Sequence, residues 1–213
     1  MTNEQFYAIV LKRARRPGDP TLLGVVQDGV RQMLQALEMS PFHPWFLETE
    51  SAGLQTVADQ NYITMPTDFL LFVEDTRVEL IDEEGNGHRV ERWYLEAMRD
   101  HWGNAEGEVS RTYDLFADRM YLAPTPDAVY DVNFQYYAKT IAPEVDLAEV
   151  DNLWALNAED FTVTSLARRL VEFYVKDEKR ARALANEAVM LRSELHKYNE
   201  ARKHSDHDYR ITD

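Results

Sequence analysis

Apolar side chains recur every three or four positions at both ends of this chain and every second position in its middle, so two kinds of element are expected. Residues 3–15 predict a first helix with Phe6, Ile9, Val10 and Arg13 in one arc, closed by Pro17-Gly18-Asp19-Pro20. Thr21 is placed to cap a second helix whose stripe is Leu22, Val25, Val26, Gly29, Val30, Met33, Leu34 and Leu37, until Ser40-Pro41 stops it. The aromatic run Phe42-His43-Pro44-Trp45-Phe46-Leu47 then predicts an extended bridge plugged into a core. The longest helical signal covers 159–203, where Leu166, Leu170, Phe173, Leu184, Ala188, Leu191, Leu195 and Tyr198 are mostly three or four apart. Five consecutive charges, Lys176-Asp177-Glu178-Lys179-Arg180, interrupt that stripe, and Asp177 is a good N-cap, so two helices are expected to meet there. The second is expected to run about 26 residues, or about 40 Å. A helix of that length needs a partner along it, either its own domain or a neighbouring subunit.

From about residue 54 to 139 the period falls toward two. Residues 60–66 predict a strand ended by Pro66, Asp68-Phe69-Leu70 a short turn, and Val78, Leu80 and Val90 a hairpin around the glycine-bearing loop 82–87. A short helix is expected over 93–101. Strands follow at 113–117 and 120–122 around a turn at Asp118-Arg119, and Pro124-Thr125-Pro126-Asp127 leads into 129–137. In that last run Tyr130, Val132, Phe134 and Tyr136 share one face, and Asp131, Asn133 and Gln135 the other. The pattern predicts an antiparallel meander, and hence an α+β fold in which a helical domain carries an inserted antiparallel β-module. The expected divisions are N-terminal helices over 1–50, the β-module over 51–140, a connector and C-terminal helix pair over 141–203 completing the helical domain, and a flexible tail over 204–213. Leu153, Trp154 and Leu156 are the expected anchors of the connector.

Charge changes the picture in one respect. Residues 41–160 carry 25 acidic and seven basic side chains, a net −18 within a total of −15, whereas 1–40 and 161–213 are near neutral at +1 and +2. Such a segment repels phosphate, which excludes an electrostatic grip on nucleic acid there, although it can surround nucleic acid without adhering. The chain has no cysteine, so disulfides, thiolate metal sites and cysteine nucleophiles are excluded. No segment approaches 18 uninterrupted apolar residues, and the N-terminal basic residues follow the short apolar run instead of preceding it. A soluble protein made and kept outside membranes is expected.

Candidate chemistry is sparse, and no catalytic, cofactor or metal residues are expected. Asp82-x-Glu84-x-Asn86-Gly87 has the glycine of a calcium loop, but its twelfth position is Trp93 instead of the required glutamate. His43, His88, His101 and His196 lack companions at ligand or triad spacing, and His204 and His207 lie in the tail. Tyr113, Phe116, Tyr121, Tyr130, Tyr136 and Tyr137 would serve either as core or as a stacking platform; alternating strands favour core.

Three pieces of the chain, in order over about 20–200, resemble the head-to-tail adaptor proteins of tailed bacteriophages, particularly those of short-tailed phages. They are the helix at 25–37 running into Pro44-Trp45-Phe46-Leu47, the strand Tyr62-Ile63-Thr64-Met65-Pro66-Thr67-Asp68-Phe69, and Met120-Tyr121-Leu122-Ala123-Pro124-Thr125-Pro126-Asp127 leading to Tyr136-Tyr137 and the split helix pair. Where that family has leucine, this chain has Met65. The resemblance implies a structural virion protein at the head-tail junction, made in the bacterial host cytoplasm. It implies a twelve-fold ring beneath the portal protein, contacting tail proteins below and passing genomic DNA through its channel without specific binding. It further implies that the C-terminal segment reaches the portal, which makes His204, Ser205, Asp206, His207, Asp208, Tyr209 and Arg210 the portal-binding candidates. Leu184, Leu191 and Leu195 are the candidates for contact with a neighbouring subunit or with the helix at 25–37. The competing expectation is a tail or receptor-binding component whose acidic β-module binds a host glycan or a basic partner.

Overall fold

The structure, a computed structural model, describes residues 3–103, 105, 109–140 and 153–209, with side chains between residues 5 and 202. The chain divides into two compact units, Met1–Leu47 with Lys139–Asp213, and Glu48–Ala138. The first is helical and the second is built on strands, the mixed α+β composition that the change of period predicts.

In the helical unit, α1 (Asn3–Arg13) and α2 (Leu23–Glu38) pack with α5 (Glu159–Leu170). The stripe on α2 is as expected, with Val26, Val30, Met33, Leu34 and Leu37 buried. On α1 the buried arc is Phe6, Tyr7, Val10, Leu11 and Ala14, so Ile9 and Arg13 lie outside it. The helix packs against both α2 and α5, which broadens its covered face. Thr21 is not the cap of α2. Asp19 accepts from the Thr21 N–H at 3.0 Å and from its hydroxyl at 2.6 Å, capping a 3-10 turn, Pro20–Leu22, that leads into the helix. The bridge forms a second 3-10 turn, Trp45–Leu47, with Phe46 edge-on to Trp154 of α4 (Leu153–Asn157) at 5.1 Å. Of the expected connector anchors, Trp154 is buried and Leu156 is exposed, because one turn of helix can turn only one side inward. Residues 141–152 of the connector lie outside the described residues.

The charged break is where the sequence places it. After α5 the chain widens into a π turn, Val171–Val175, Lys176 adopts a left-handed conformation (φ 59°, ψ 33°), and α6 (Glu178–Tyr209) begins. Asp177 accepts from the Arg180 N–H at 3.0 Å, the N-cap geometry. α6 has 32 residues, longer than expected, and the polar stretch read as a flexible tail is helical as far as Tyr209. The chain has neither glycine nor proline after Asp177, so nothing in its local chemistry ends the helix where the apolar stripe ends.

The β unit contains two sheets instead of one meander. Six strands form the order β2-β7-β6-β5-β4-β8, and three form β1-β9-β3. The larger sheet comprises β2 (Tyr62–Thr64), β4 (Val78–Ile81), β5 (Gly87–Arg92), β6 (Thr112–Phe116), β7 (Arg119–Ala123) and β8 (Asp131–Asn133). Its β5 and β6 are parallel because α3 (Leu95–Trp102) crosses between them. The smaller sheet comprises β1 (Glu48–Glu50), β3 (Phe69–Phe72) and β9 (Gln135–Ala138), so the expected turn at Asp68-Phe69-Leu70 is instead the start of a strand. The run 129–137 is divided between the sheets at Phe134. The Ser51 hydroxyl donates to the Val132 carbonyl at 2.7 Å and accepts the Phe134 N–H at 3.0 Å, and Thr76 Oγ1 takes the Gln135 N–H at 2.8 Å. Side chains thus satisfy backbone groups that one continuous strand would have paired. The expected inward face persists, with Tyr130, Val132, Phe134 and Tyr136 in one core with Leu80, Met120 and Leu122.

Candidate functional site

The groups with chemical potential are tied into local structure. Asp82 Oδ1 accepts the Asn86 N–H at 2.7 Å, the Asn86 amide reaches both carboxylate oxygens at 3.2 and 3.0 Å, and His88 Nε2 lies 3.2 Å from Oδ2. These bonds, the Asn86 amide foremost, hold the Asp82 carboxyl down at about 2 from the ordinary 3.8. The loop is therefore a hydrogen-bonded hairpin turn, in which Gly85 supplies a positive φ of 85°. His43 lies 3.3 Å from the Glu38 carbonyl, His101 packs edge-on between Trp93 and Trp102, and His196 packs on Phe42. Among the described residues, no group of three or more His, Cys, Asp or Glu could hold a metal ion.

The tyrosines are core residues with polar tips. Tyr130 donates to Asp127 Oδ1 at 2.6 Å, Tyr136 to Asp68 at 3.0 Å and Tyr137 to Glu48 at 3.2 Å. The Asp127 bond, then burial, pushes the Tyr130 phenol up to about 12; for Tyr136 burial comes first and the Asp68 bond second, also to about 12. Tyr113 is buried, Tyr121 is half-buried against Tyr62, and Phe116 stands exposed beside the Ala117-Asp118 turn. One exposed ring at a hairpin tip is not a stacking platform.

What the structure does assemble is a long helix with two different sides. On the inner side Leu184 is 5% exposed in the single chain, filling the core of the helical unit, and Leu191 and Leu195 are half-buried on the same face. Polar contacts extend that attachment. Arg180 Nη2 donates to the Arg13 carbonyl, Arg13 pairs with Glu187, and Arg192 donates to Ser40 Oγ at 3.0 Å. Buried Asn199 accepts the Trp45 N–H at 2.7 Å, and the Arg202 guanidinium lies 3.8 Å over the Trp45 ring. Asn199 and Arg202 escaped the sequence reading because they are polar. The legible signal was position, since Asn199 follows Leu195 by four residues along the stripe. The outer side of α6 exposes Val189 and Met190. Beside the π turn, a groove of about 460 Å³ runs between α2 and α5, with Phe173 and Tyr174 in its wall. Of the portal-binding candidates, His204, Ser205, Asp206, His207, Asp208 and Tyr209 lie on the last turns of α6, their side chains outside the described set, and Arg210 lies beyond the described residues.

The site is thus a set of packing surfaces on a two-unit scaffold, and comparison with known proteins gives the scaffold a kinship. No curated protein matches the sequence. A family model described as SU10 adaptor protein matches residues 6–210, nearly the whole chain. The matched span takes in both units and α6 through its last turn, so the chain belongs to the SU10 adaptor proteins, a family of structural head-to-tail adaptors of bacteriophages.

Proposed function

We propose that this adaptor forms a twelve-fold ring beneath the portal protein, joins the DNA-filled head to the tail proteins and lines the channel through which genomic DNA passes. The observation that carries the reading is α6, about 48 Å long at 1.5 Å per residue and attached to its own unit along one side only. A helix so exposed on its other side suits contact with other chains. The charge of the β unit supports a channel-lining role. Its 48–138 span holds 19 acidic and six basic side chains, a net −13 that keeps phosphate from adhering. Among the described residues no helix is long and apolar enough to cross a membrane.

In this reading His204, Ser205, Asp206, His207, Asp208, Tyr209 and Arg210 make the portal contact, and the half-buried Leu191 and Leu195 stand at the edge of the subunit contact. The protein acts by assembly and not by catalysis, at the head-tail junction of the virion. Mass measurement tests it: the purified chain mixed with portal should give a complex of twelve adaptor copies per portal ring. A single adaptor copy per portal ring would overturn the ring. A chain lacking residues 204–213 should fold and fail to bind portal; normal binding would remove the tail from the contact.

A further inference from the structure

We propose that the groove between α2 and α5 receives the outer strip of α6 from a second copy of this chain, an inference that rests on the ring reading and names its contact. The groove is floored by Val25, Val26, Leu166 and Leu170. Phe173 and Tyr174 beside it are 61% and 56% exposed. An unbroken α-helix would carry the stripe Leu166, Leu170, Phe173 onward against the core, but the wide π turn rotates the two rings outward. Large exposed apolar side chains next to a groove mark a protein contact.

The lining selects the occupant. Two charged side chains line the groove: Asp28, which lies 3.7 Å from Arg31, and Arg169, which donates to the Gln32 amide oxygen at 2.8 Å. The floor between them is apolar, so the occupant presents an uncharged surface to it. α6 offers one. Thirteen of its 32 residues are charged, yet on the face opposite Leu184 and Leu195 the exposed residues Ala183, Asn186, Val189, Met190 and Ser193 form an uncharged strip about 15 Å long. Val189 and Met190 at its middle are 69% and 64% exposed. Arg182 and Lys197 bound its ends. The spacing, with anchors three and four residues apart on one helix face, is that of a helix laid into a groove. Donor strip and acceptor groove are different surfaces of one unit, so the contact is heterologous and propagates until it closes.

The chain has no native cysteine, which permits a direct test. The full-length double variant Tyr174→Cys/Met190→Cys, on mild oxidation, should give a ladder of disulfide-linked copies and a mixture of the two single variants a linked pair, whereas each single variant alone stays unlinked, since the contact sets Tyr174 against Met190 and not against itself. In the non-covalent arm, Phe173→Glu and Met190→Glu should each weaken self-association about tenfold or more without altering the circular dichroism, because both side chains are exposed. Mixing these two variants should restore dimers and nothing larger, since one intact groove then meets one intact strip. Self-association that survives both glutamates, or survives while binding to another protein is lost, overturns the groove contact and leaves the ring reading standing. A chain that stays monomeric throughout overturns the groove contact too, and the ring itself falls only if portal then binds a single copy.

Discussion

The backbone N–H of Trp45 donates to Oδ1 of Asn199 at 2.7 Å, joining positions 154 residues apart. Asn199 is 1% exposed, so its amide is a buried polar group held by that bond. Asn199→Leu fits the apolar stripe but leaves a buried donor without its acceptor. It should lower stability by about 1–3 kcal/mol. The urea midpoint should fall with an unchanged m value, and amide exchange should accelerate first in the last turns of α6.

Alkaline pH should loosen the β unit. The phenols of Tyr130 and Tyr136 are raised from 10 to about 12, so the stabilisation they contribute is whole below pH 10 and is lost as pH rises from 10 through 12. Tyr130→Phe removes the bond to Asp127. It should cost about 1–3 kcal/mol at neutral pH and flatten its share of the alkaline loss. Tyrosinate absorbance followed with near-ultraviolet circular dichroism checks both, and release of native packing at pH 10 in step with free tyrosine would contradict the assignment.

Acid should act on the β4–β5 hairpin by the opposite sign. The Asp82 carboxyl is held down at about 2, so the stabilisation from its bonds to Asn86 and His88 is present above 3.8 and is lost as pH falls from there toward 2. In Asp82→Ala that dependence should vanish. The measurement is amide exchange at Val78 and Val90, which face each other in the ladder.

These sites show what the sequence made legible. The 3.6 period of Val26, Val30, Met33, Leu34 and Leu37 reports burial directly, and so does the alternation of Tyr130, Val132, Phe134 and Tyr136, because in both the side chains that create the pattern are the ones that pack. The division of 129–137 into two sheets was not legible. It depends on Ser51 and Thr76, distant residues whose hydroxyls carry no periodic signal. The length of α6 escaped for a related reason, since an apolar stripe marks where a helix packs and not where it stops. Of the candidate subunit contacts, Leu184 proved to be core. An apolar stripe does not distinguish attachment to one's own unit from attachment to a neighbour, and the outer strip at Val189 and Met190 is too short to stand out among charges.

The joint between α5 and α6 separates two local effects that a single truncation would confuse. Lys176 holds φ 59°, a conformation that costs a non-glycine residue about 1–2 kcal/mol, and Asp177 caps the first turn of α6. Lys176→Gly relieves the backbone cost but adds freedom to the unfolded chain, so its net effect should be small and stabilising, within about 1 kcal/mol. Lys176→Val should destabilise, since a β-branched side chain tolerates positive φ poorly. Asp177→Ala should cost about 1 kcal/mol through the unpaired Arg180 N–H. Because the two residues adjoin, the variants Lys176→Gly and Asp177→Ala combined should not sum simply if the left-handed turn is what aims the Asp177 carboxylate at the helix end. A double-mutant cycle by urea unfolding measures that coupling. A coupling near zero would mean the cap forms regardless of the turn, and α6 would then keep its N-terminus even when the direction of the joint is lost.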